Sequence, residues 1–117
     1  MRLDSLKSFA LSLPAATVIK QWGENLVFKV GGKMFAVTGP PKMRPQTLSF
    51  KAGDSSFDIL TRAKNIIPAP YLARAKWVNL QKLDALITRE LKAYLMQAHA
   101  LVAAGLTKKK RAELGLA

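Results

Sequence analysis

Lysine and arginine are the residues of this sequence whose number and spacing most clearly indicate a binding function. The 117 residues include 19 Lys plus Arg against seven Asp plus Glu, a formal net charge of +12. Five bases and no acid lie between Glu24 and Asp54, and four bases run consecutively from Lys108 to Arg111. Ammonium and guanidinium groups bind phosphate and carboxylate oxygens. The excess therefore predicts an anionic partner, and nucleic acid or another polyanion is the first candidate.

Some of these side chains suit phosphates and others suit base edges. A guanidinium or an amide forms two hydrogen bonds with one base edge, so Arg44, Arg74 and Asn79 are the candidates for base contacts. If five or six lysines and arginines neutralise phosphates, the logarithm of the binding constant falls with log salt at a slope of about −5. The non-specific Kd is then roughly 10⁻⁴ to 10⁻⁶ M. The predicted nucleic-acid-binding residues are Lys29, Lys33, Lys42, Arg44, Lys51, Arg74, Lys76, Asn79, Lys108, Lys109, Lys110 and Arg111.

Each of these residues also has a plain structural interpretation. A run of charge is usually a solvated face, and lysines such as Lys29 and Lys33 protect a hairpin edge from aggregation. Tyr71 and Trp77 could stack on a base. However, Trp77 precedes Val78 in a short predicted strand, so we expect it to pack in the core, as we do for Trp22.

Catalytic constellations are absent from the sequence. There is no cysteine and one histidine, which excludes thiolate nucleophiles, cysteine-based zinc sites and every site that needs two histidines. Asp54 and Asp58 have the spacing of a general acid/base pair, but a helix N-terminus favours carboxylates without any catalysis. No phosphate-binding, dinucleotide-binding, serine-hydrolase or zinc-protease motif occurs. We expect no enzyme activity, cofactor, metal or small-molecule substrate, and a partly exposed His99 on a helix.

The first half of the chain predicts a helix followed by a hairpin-rich region. Apolar residues at helical spacing predict a helix over residues 3–13, with Asp4 capping its start and Pro14 ending it. Strands follow at 17–22, 25–30 and 33–38, and Gly31-Gly32 forms a two-residue type I′ turn. The predicted pairs are Phe28 with Phe35, Leu26 with Val37, Val30 with Lys33, Lys29 with Met34 and Val27 with Ala36. Phe28, Phe35, Leu26 and Val37 would face the core.

The second half mixes two further predicted strands with helices. A proline-rich loop over residues 39–45 and the hairpin would be two protruding, basic elements on one face. The order α-β-β-β-β-α-β-α-α predicts a single α+β domain, residues 1–117, with an antiparallel sheet of about five strands and helices on one face. The predicted elements are a strand around 48–51, a helix near 55–64 capped by Asp54 or Ser55, a strand over 76–80, a helix over 83–104 ended by Gly105, and a helix over 108–114 capped by Thr107.

Several segments resemble one family of small bacterial proteins. With LSLP at 11–14, they are VFKVGGKMFAV at 27–37, LSFKA at 48–52, PAPYLARAKWVNL at 68–80 and LTKKKRAEL at 106–114. In this order and spacing they resemble the MmcQ/YjbR family. The resemblance implies a CyaY-like fold with a double-wing DNA-binding motif. Many members place His, Asn and Arg around the tryptophan, where this chain has Lys76 and Val78 beside Trp77.

These observations leave more than one function open. The leading prediction is a non-enzymatic DNA-binding domain of weak sequence specificity, acting as a monomer or weak homodimer. The alternatives are a module for an acidic protein partner and an enzyme of unrecognised class. Membrane-surface binding is a weaker alternative, because the basic tail is short. Asp4, Lys7 and Ser8 interrupt any secretory signal, and no run of 18 apolar residues exists, so we expect a cytoplasmic protein without a membrane span.

Overall fold

The computed structural model describes residues 1–116. Short 3₁₀ turns at Ala73–Ala75 and Leu83–Ala85 precede β6 and α3. The elements in chain order are α1 (Leu3–Ser12), β1 (Ala16–Gln21), β2 (Asn25–Val30), β3 (Lys33–Thr38), β4 (Leu48–Lys51), α2 (Asp54–Leu60), β5 (Ile66–Pro68), β6 (Trp77–Leu80), α3 (Thr88–Ala104) and α4 (Lys108–Glu113).

The strands form one antiparallel sheet in the order β1-β2-β3-β4-β6-β5. The predicted α+β class is confirmed, but the sheet has six strands instead of about five. The additional strand is β5, which pairs with β6 at the sheet edge. With three residues it is too short to show alternation, and Pro68 is tolerated there because an edge strand has one unpaired side.

A single core lies between one face of the sheet and the helices. Phe28, Phe35 and Phe50 are fully buried on the sheet side, and Leu91 and Leu95 of α3 are fully buried opposite them. Leu6 of α1 and Leu60 of α2 belong to the same cluster. Each such side chain contributes about 1.5–3 kcal/mol when removed from water, so this layer supplies most of the folding free energy.

The β2–β3 hairpin follows the predicted register only near its turn. Val30 pairs with Lys33 and Lys29 with Met34, as predicted, but Phe28 then pairs with Ala36 instead of Phe35. An irregularity between Phe28 and Lys29 makes Phe35 the extra residue of β3. Val27 therefore pairs with Val37, which leaves the core face, while Ala36 becomes a core residue. A bulge of this kind changes no composition or periodicity near the turn, so alternation alone does not reveal it.

The long predicted helix over 83–104 is divided in two. Leu83–Ala85 forms a 3₁₀ turn, the backbone is extended at Leu86, and α3 begins only at Thr88. Ile87 and Leu101, two apolar residues within the predicted helix, are exposed. Leu95, His99 and Val102 lie in the buried face of α3.

Three residues expected in one environment lie in another. His99 is only 6% exposed, its Nε2 lies 2.7 Å from the Pro14 carbonyl oxygen, and its ring meets Phe35 edge-on at 5.4 Å. Because a carbonyl can only accept, that nitrogen carries a proton and donates. Trp22 is 64% exposed instead of buried, whereas Trp77 is buried as predicted. Ala63, within the helix predicted near 55–64, lies beyond the end of α2 and is exposed.

Of the predicted N-caps, only Thr107 is confirmed. The Thr107 hydroxyl accepts from the Lys110 backbone N–H at 3.1 Å and starts α4, as predicted. Asp4 and Asp54 instead lie inside the first turns of α1 and α2, whose N-caps, Arg2 and Gly53, make no side-chain cap bond. Carboxylates in a first turn still favour the helix through its dipole.

The hairpin turn is tied to the end of α3. Gly31 and Gly32 both have positive φ, +59° and +79°, as the predicted turn requires. A Cβ atom on Gly31 would lie 2.6 Å from Leu106 Cδ1, whereas one on Gly32 would meet nothing within 4 Å. Leu106 is buried between α3 and α4, so the turn fixes the segment that begins the basic tail.

This contact predicts different costs for the two glycines. Gly31→Ala and Gly32→Ala both place a Cβ in the left-handed region, which costs about 1–2 kcal/mol. Gly31→Ala must also displace Leu106, so we expect it to lower the free energy of unfolding by roughly 1 kcal/mol more than Gly32→Ala. Urea unfolding followed by circular dichroism measures the difference, and equal losses would contradict the contact.

Replacing the buried histidine should lower the stability of the fold. His99→Ala removes the bond to Pro14 and the edge contact with Phe35, so we expect a loss of about 2–3 kcal/mol in urea unfolding. Met96→Ala on the same helix is the control, because Met96 is exposed. We expect the control to change stability by less than about 0.5 kcal/mol. A His99→Ala loss no larger than that of the control would contradict this assignment.

Candidate nucleic-acid interface

Strand direction decides which of the predicted basic residues lie together. The turn at Gly31-Gly32 precedes β3, and the loop at 39–46 follows it. We call the two ends of the sheet the hairpin end and the proline end. Six residues separate them in β3, so at about 3.3 Å per residue they are roughly 20 Å apart. The two protruding elements expected on one face therefore lie at opposite ends of the sheet.

Strand pairing brings β4 and β6 to the hairpin end. Lys51, the last residue of β4, pairs with Trp77, the first residue of β6. The backbone N–H groups of Ala52 and Gly53 both donate to the Lys76 carbonyl oxygen, at 2.9 and 3.3 Å. Lys51 and Lys76 are therefore neighbours at the end of the sheet where the hairpin turns.

A shallow pocket of about 300 Å³ gathers three cations there. Lys51, Arg74 and Lys76 line it together with Asp54 and Leu101. The Lys51 ammonium donates to the Ala75 carbonyl oxygen at 3.1 Å, and Lys76 Nζ lies 4.8 Å from the centre of the Phe57 ring. Within residues 1–116, the Arg74 side chain has no hydrogen-bond or ion-pair partner. The pocket thus holds cationic donors that are only partly used.

The C-terminal end of α3 connects this pocket to the hairpin and the tail. Leu101 lines the pocket, and five residues later Leu106 contacts Gly31. Thr107 then starts α4, whose first three lysines are exposed and whose Arg111 is half-buried. Leu114 and Leu116 pack against the core and hold the tail to the domain.

We define the basic surface as the cations that these contacts bring to the hairpin end. Two ion pairs occur within residues 1–116, Lys20 with Glu24 and Lys82 with Asp84, and neither uses a member of this surface. Asp54, Asp58 and Glu113 are the carboxylates on the adjoining α2 and α4. The members of the basic surface are Lys33, Lys51, Arg74, Lys76, Lys108, Lys109, Lys110 and Arg111.

Two predicted residues lie on the sheet face opposite the core. Lys29 pairs with Met34 between the core positions Phe28 and Val30, so it points away from the core and is half-buried. The Asn79 amide donates to the Ser49 hydroxyl at 2.9 Å across β4 and β6. Asn79 therefore uses one of its two amide N–H groups within the sheet.

The last two predicted residues, Lys42 and Arg44, lie at the proline end. The Arg44 guanidinium donates to the carbonyl oxygens of Pro41 and Met43, both at 2.7 Å. It lines a cleft of about 630 Å³ whose charged residues have both signs. The charged residues in that lining are Arg2, Arg44 and Lys82 together with Asp4 and Asp84. This mixed end differs from the basic surface, where cations dominate.

The described part of the chain also bears on metal sites, catalytic groups and membrane spans. Among residues 1–116, no group of three or more His, Cys, Asp or Glu could hold a metal ion. Asp54 and Asp58 are both exposed on α2, and the one histidine is occupied by the Pro14 carbonyl. No helix within residues 1–116 has the length and hydropathy that a membrane span needs.

Comparison with known proteins confirms the family resemblance. A model of the YjbR family matches residues 11–101. The fold is similar to the crystal structure of protein DR2400 of Deinococcus radiodurans, which carries a DUF419 domain. The two chains share 31% identity with a TM-score of 0.86, over 99% of this chain and 89% of the other. No curated protein matches the sequence. The chain belongs to the YjbR family.

Proposed function

We propose that this chain is a non-enzymatic DNA-binding domain that holds the phosphate backbone with the basic surface. The observation that carries the proposal is the collection of eight cations at the hairpin end without an ion pair among them within residues 1–116. A phosphate contact at this surface breaks no existing ion pair. Each contact therefore gains the free energy of counterion release without first breaking an ion pair.

The unused donors at the pocket support phosphate contacts in particular. An ammonium has three N–H donors, and Lys51 has one bond to the Ala75 carbonyl. Arg74 is exposed with a guanidinium of five donors, which matches the two oxygens of a phosphate. Held beside each other by the β4–β6 pairing, these groups offer several donors to adjacent phosphates of one strand.

Weak sequence specificity follows from the same contacts. Of the three candidates for base edges, Arg44 donates to loop carbonyls at the proline end and Asn79 donates to Ser49. Arg74 alone joins the basic surface. Since phosphate contacts position a protein and base contacts specify the sequence, we expect similar affinity for unrelated sequences.

Matched charge reversals at the two ends test the proposal. Lys33→Glu with Arg74→Glu changes two exposed members of the basic surface, so we expect duplex DNA affinity at 0.1 M salt to fall at least tenfold. The slope of log K against log salt should also become shallower by about 2, since roughly one unit is lost for each phosphate contact. Fluorescence anisotropy with a labelled duplex measures both quantities.

The control is Lys42→Glu with Arg44→Glu at the proline end, which changes the net charge equally. The proline end lies farther from the basic surface than the Debye length, which is about 10 Å at 0.1 M salt. We therefore expect the control to change DNA affinity by less than about threefold. Circular dichroism checks that both variants are folded. Equal losses in the two variants would place binding on overall charge, and unchanged affinity in both would exclude the basic surface. If the unsubstituted protein does not bind DNA at all, an acidic protein partner is favoured.

A further inference from the structure

The Tyr71 side chain is completely exposed, at 103% of its reference area. It lies in the connection between β5 and β6, directly after Pro70. Large aromatic side chains normally bury their rings, because most of their surface is apolar. Nothing in the described part of the chain covers this ring, so its identity does not follow from packing within the domain.

The backbone at Tyr71 also disfavours a bulky residue. Leu72 N–H donates to the Ala69 carbonyl oxygen at 3.1 Å, which closes a turn with Pro70 and Tyr71 at its centre. Tyr71 has φ +66°, the left-handed region that glycine adopts without strain at the second central position of such a turn. The chain thus carries a strained aromatic residue where glycine would suit the turn, a combination that is typical of functional positions.

The turn is held firmly on the sheet. Ala69 N–H donates to the Trp77 carbonyl oxygen at 3.0 Å, and Trp77 N–H donates to the Leu72 carbonyl oxygen at 3.2 Å. Trp77 itself is buried and is the first residue of β6. The tyrosine ring is therefore presented on a rigid support, and little order has to be created when a planar ligand stacks on it.

Cations of the basic surface lie on and against the same loop. Arg74 follows Tyr71 by three residues in the 3₁₀ turn, and Lys51 donates to Ala75 at 3.1 Å. Proteins that bind single strands combine cations along the backbone with aromatic rings on which bases stack. In a duplex the bases stack on one another and present no free face to a side chain, whereas in a single strand they do.

We infer that Tyr71 stacks on an unpaired base while Arg74 and Lys51 hold the neighbouring phosphates, so that the basic surface prefers single-stranded nucleic acid to a duplex. This inference rests on the proposed DNA-binding function. It adds a ligand class, a strand with at least one unstacked base, and assigns its recognition to Tyr71.

Substitutions at Tyr71 separate stacking from charge. We expect Tyr71→Ala to weaken binding of a labelled mixed-sequence single-stranded 12-mer by about 5- to 100-fold, which is the range for losing one stacked base. Its duplex affinity should stay within about twofold, because the phosphate contacts are unchanged. Tyr71→Phe keeps the ring and should bind single strands within about twofold of the unsubstituted protein. Tyr71→Gly relieves the strained φ, so it should melt no lower than the unsubstituted protein while binding single strands as weakly as Tyr71→Ala.

An abasic single strand provides the matched ligand, since it keeps the phosphates and lacks the bases. We expect the unsubstituted protein to bind it about as weakly as Tyr71→Ala binds the normal strand, and Tyr71→Ala to bind both strands alike. If Tyr71→Ala leaves single-strand affinity unchanged while Lys33→Glu with Arg74→Glu lowers it, the stacking inference is overturned and the phosphate-binding proposal stands. If the unsubstituted protein binds neither single strand nor duplex at 0.1 M salt, both are overturned.

Discussion

The antiparallel course of β3 is the constraint on which the arrangement of charge depends. Its first residue follows the hairpin turn and its last residue leads into the proline loop, so these two basic segments lie at opposite ends of the sheet. The pairing of β4 with β3 and of β6 with β4 then carries Lys51 and Lys76 to the hairpin end. The contact between Gly31 and Leu106 brings the start of the basic tail to that end as well.

Collecting like charges at one end has a cost that the rest of the domain must offset. Cations close to one another repel, and the repulsion is relieved only by salt, by acids or by an anionic ligand. The continuous core beneath them, from Leu6 of α1 to Val102 of α3, supplies the stability that tolerates this arrangement. A surface of this kind is unfavourable for folding and favourable for binding, which is the usual relation between local instability and function.

Much of the fold was predictable because its signals are local. Gly31-Gly32 between two alternating strands predicts the hairpin, and Thr107 before the basic run predicts the start of α4. The bulge at Phe35 was not predictable, since it leaves the pairs nearest the turn unchanged. The burial of His99 depends on Pro14, which is 85 residues away in sequence, and β5 is too short to show a pattern.

The candidate site was predictable in composition but not in arrangement. The lysines and arginines themselves are read directly from the sequence, whereas their grouping depends on the order of β4, β6 and β5 in the sheet. The separation of the hairpin from the proline-rich loop was predictable, because a hairpin turn and the loop after its second strand always lie at opposite ends of that strand. The shared fold with DR2400 places the chain in its family, while the proposed function depends on these particular surface residues.

The most direct test of the central claim is an NMR titration of the isotopically labelled protein with a short duplex at 0.1 M salt. We expect the backbone amide signals of Lys33, Arg74 and Lys109 to shift progressively, while those of Lys42 and Arg44 stay in place. Shifts concentrated at Lys42 and Arg44, or spread evenly over both ends of the sheet, would contradict a binding surface at the hairpin end.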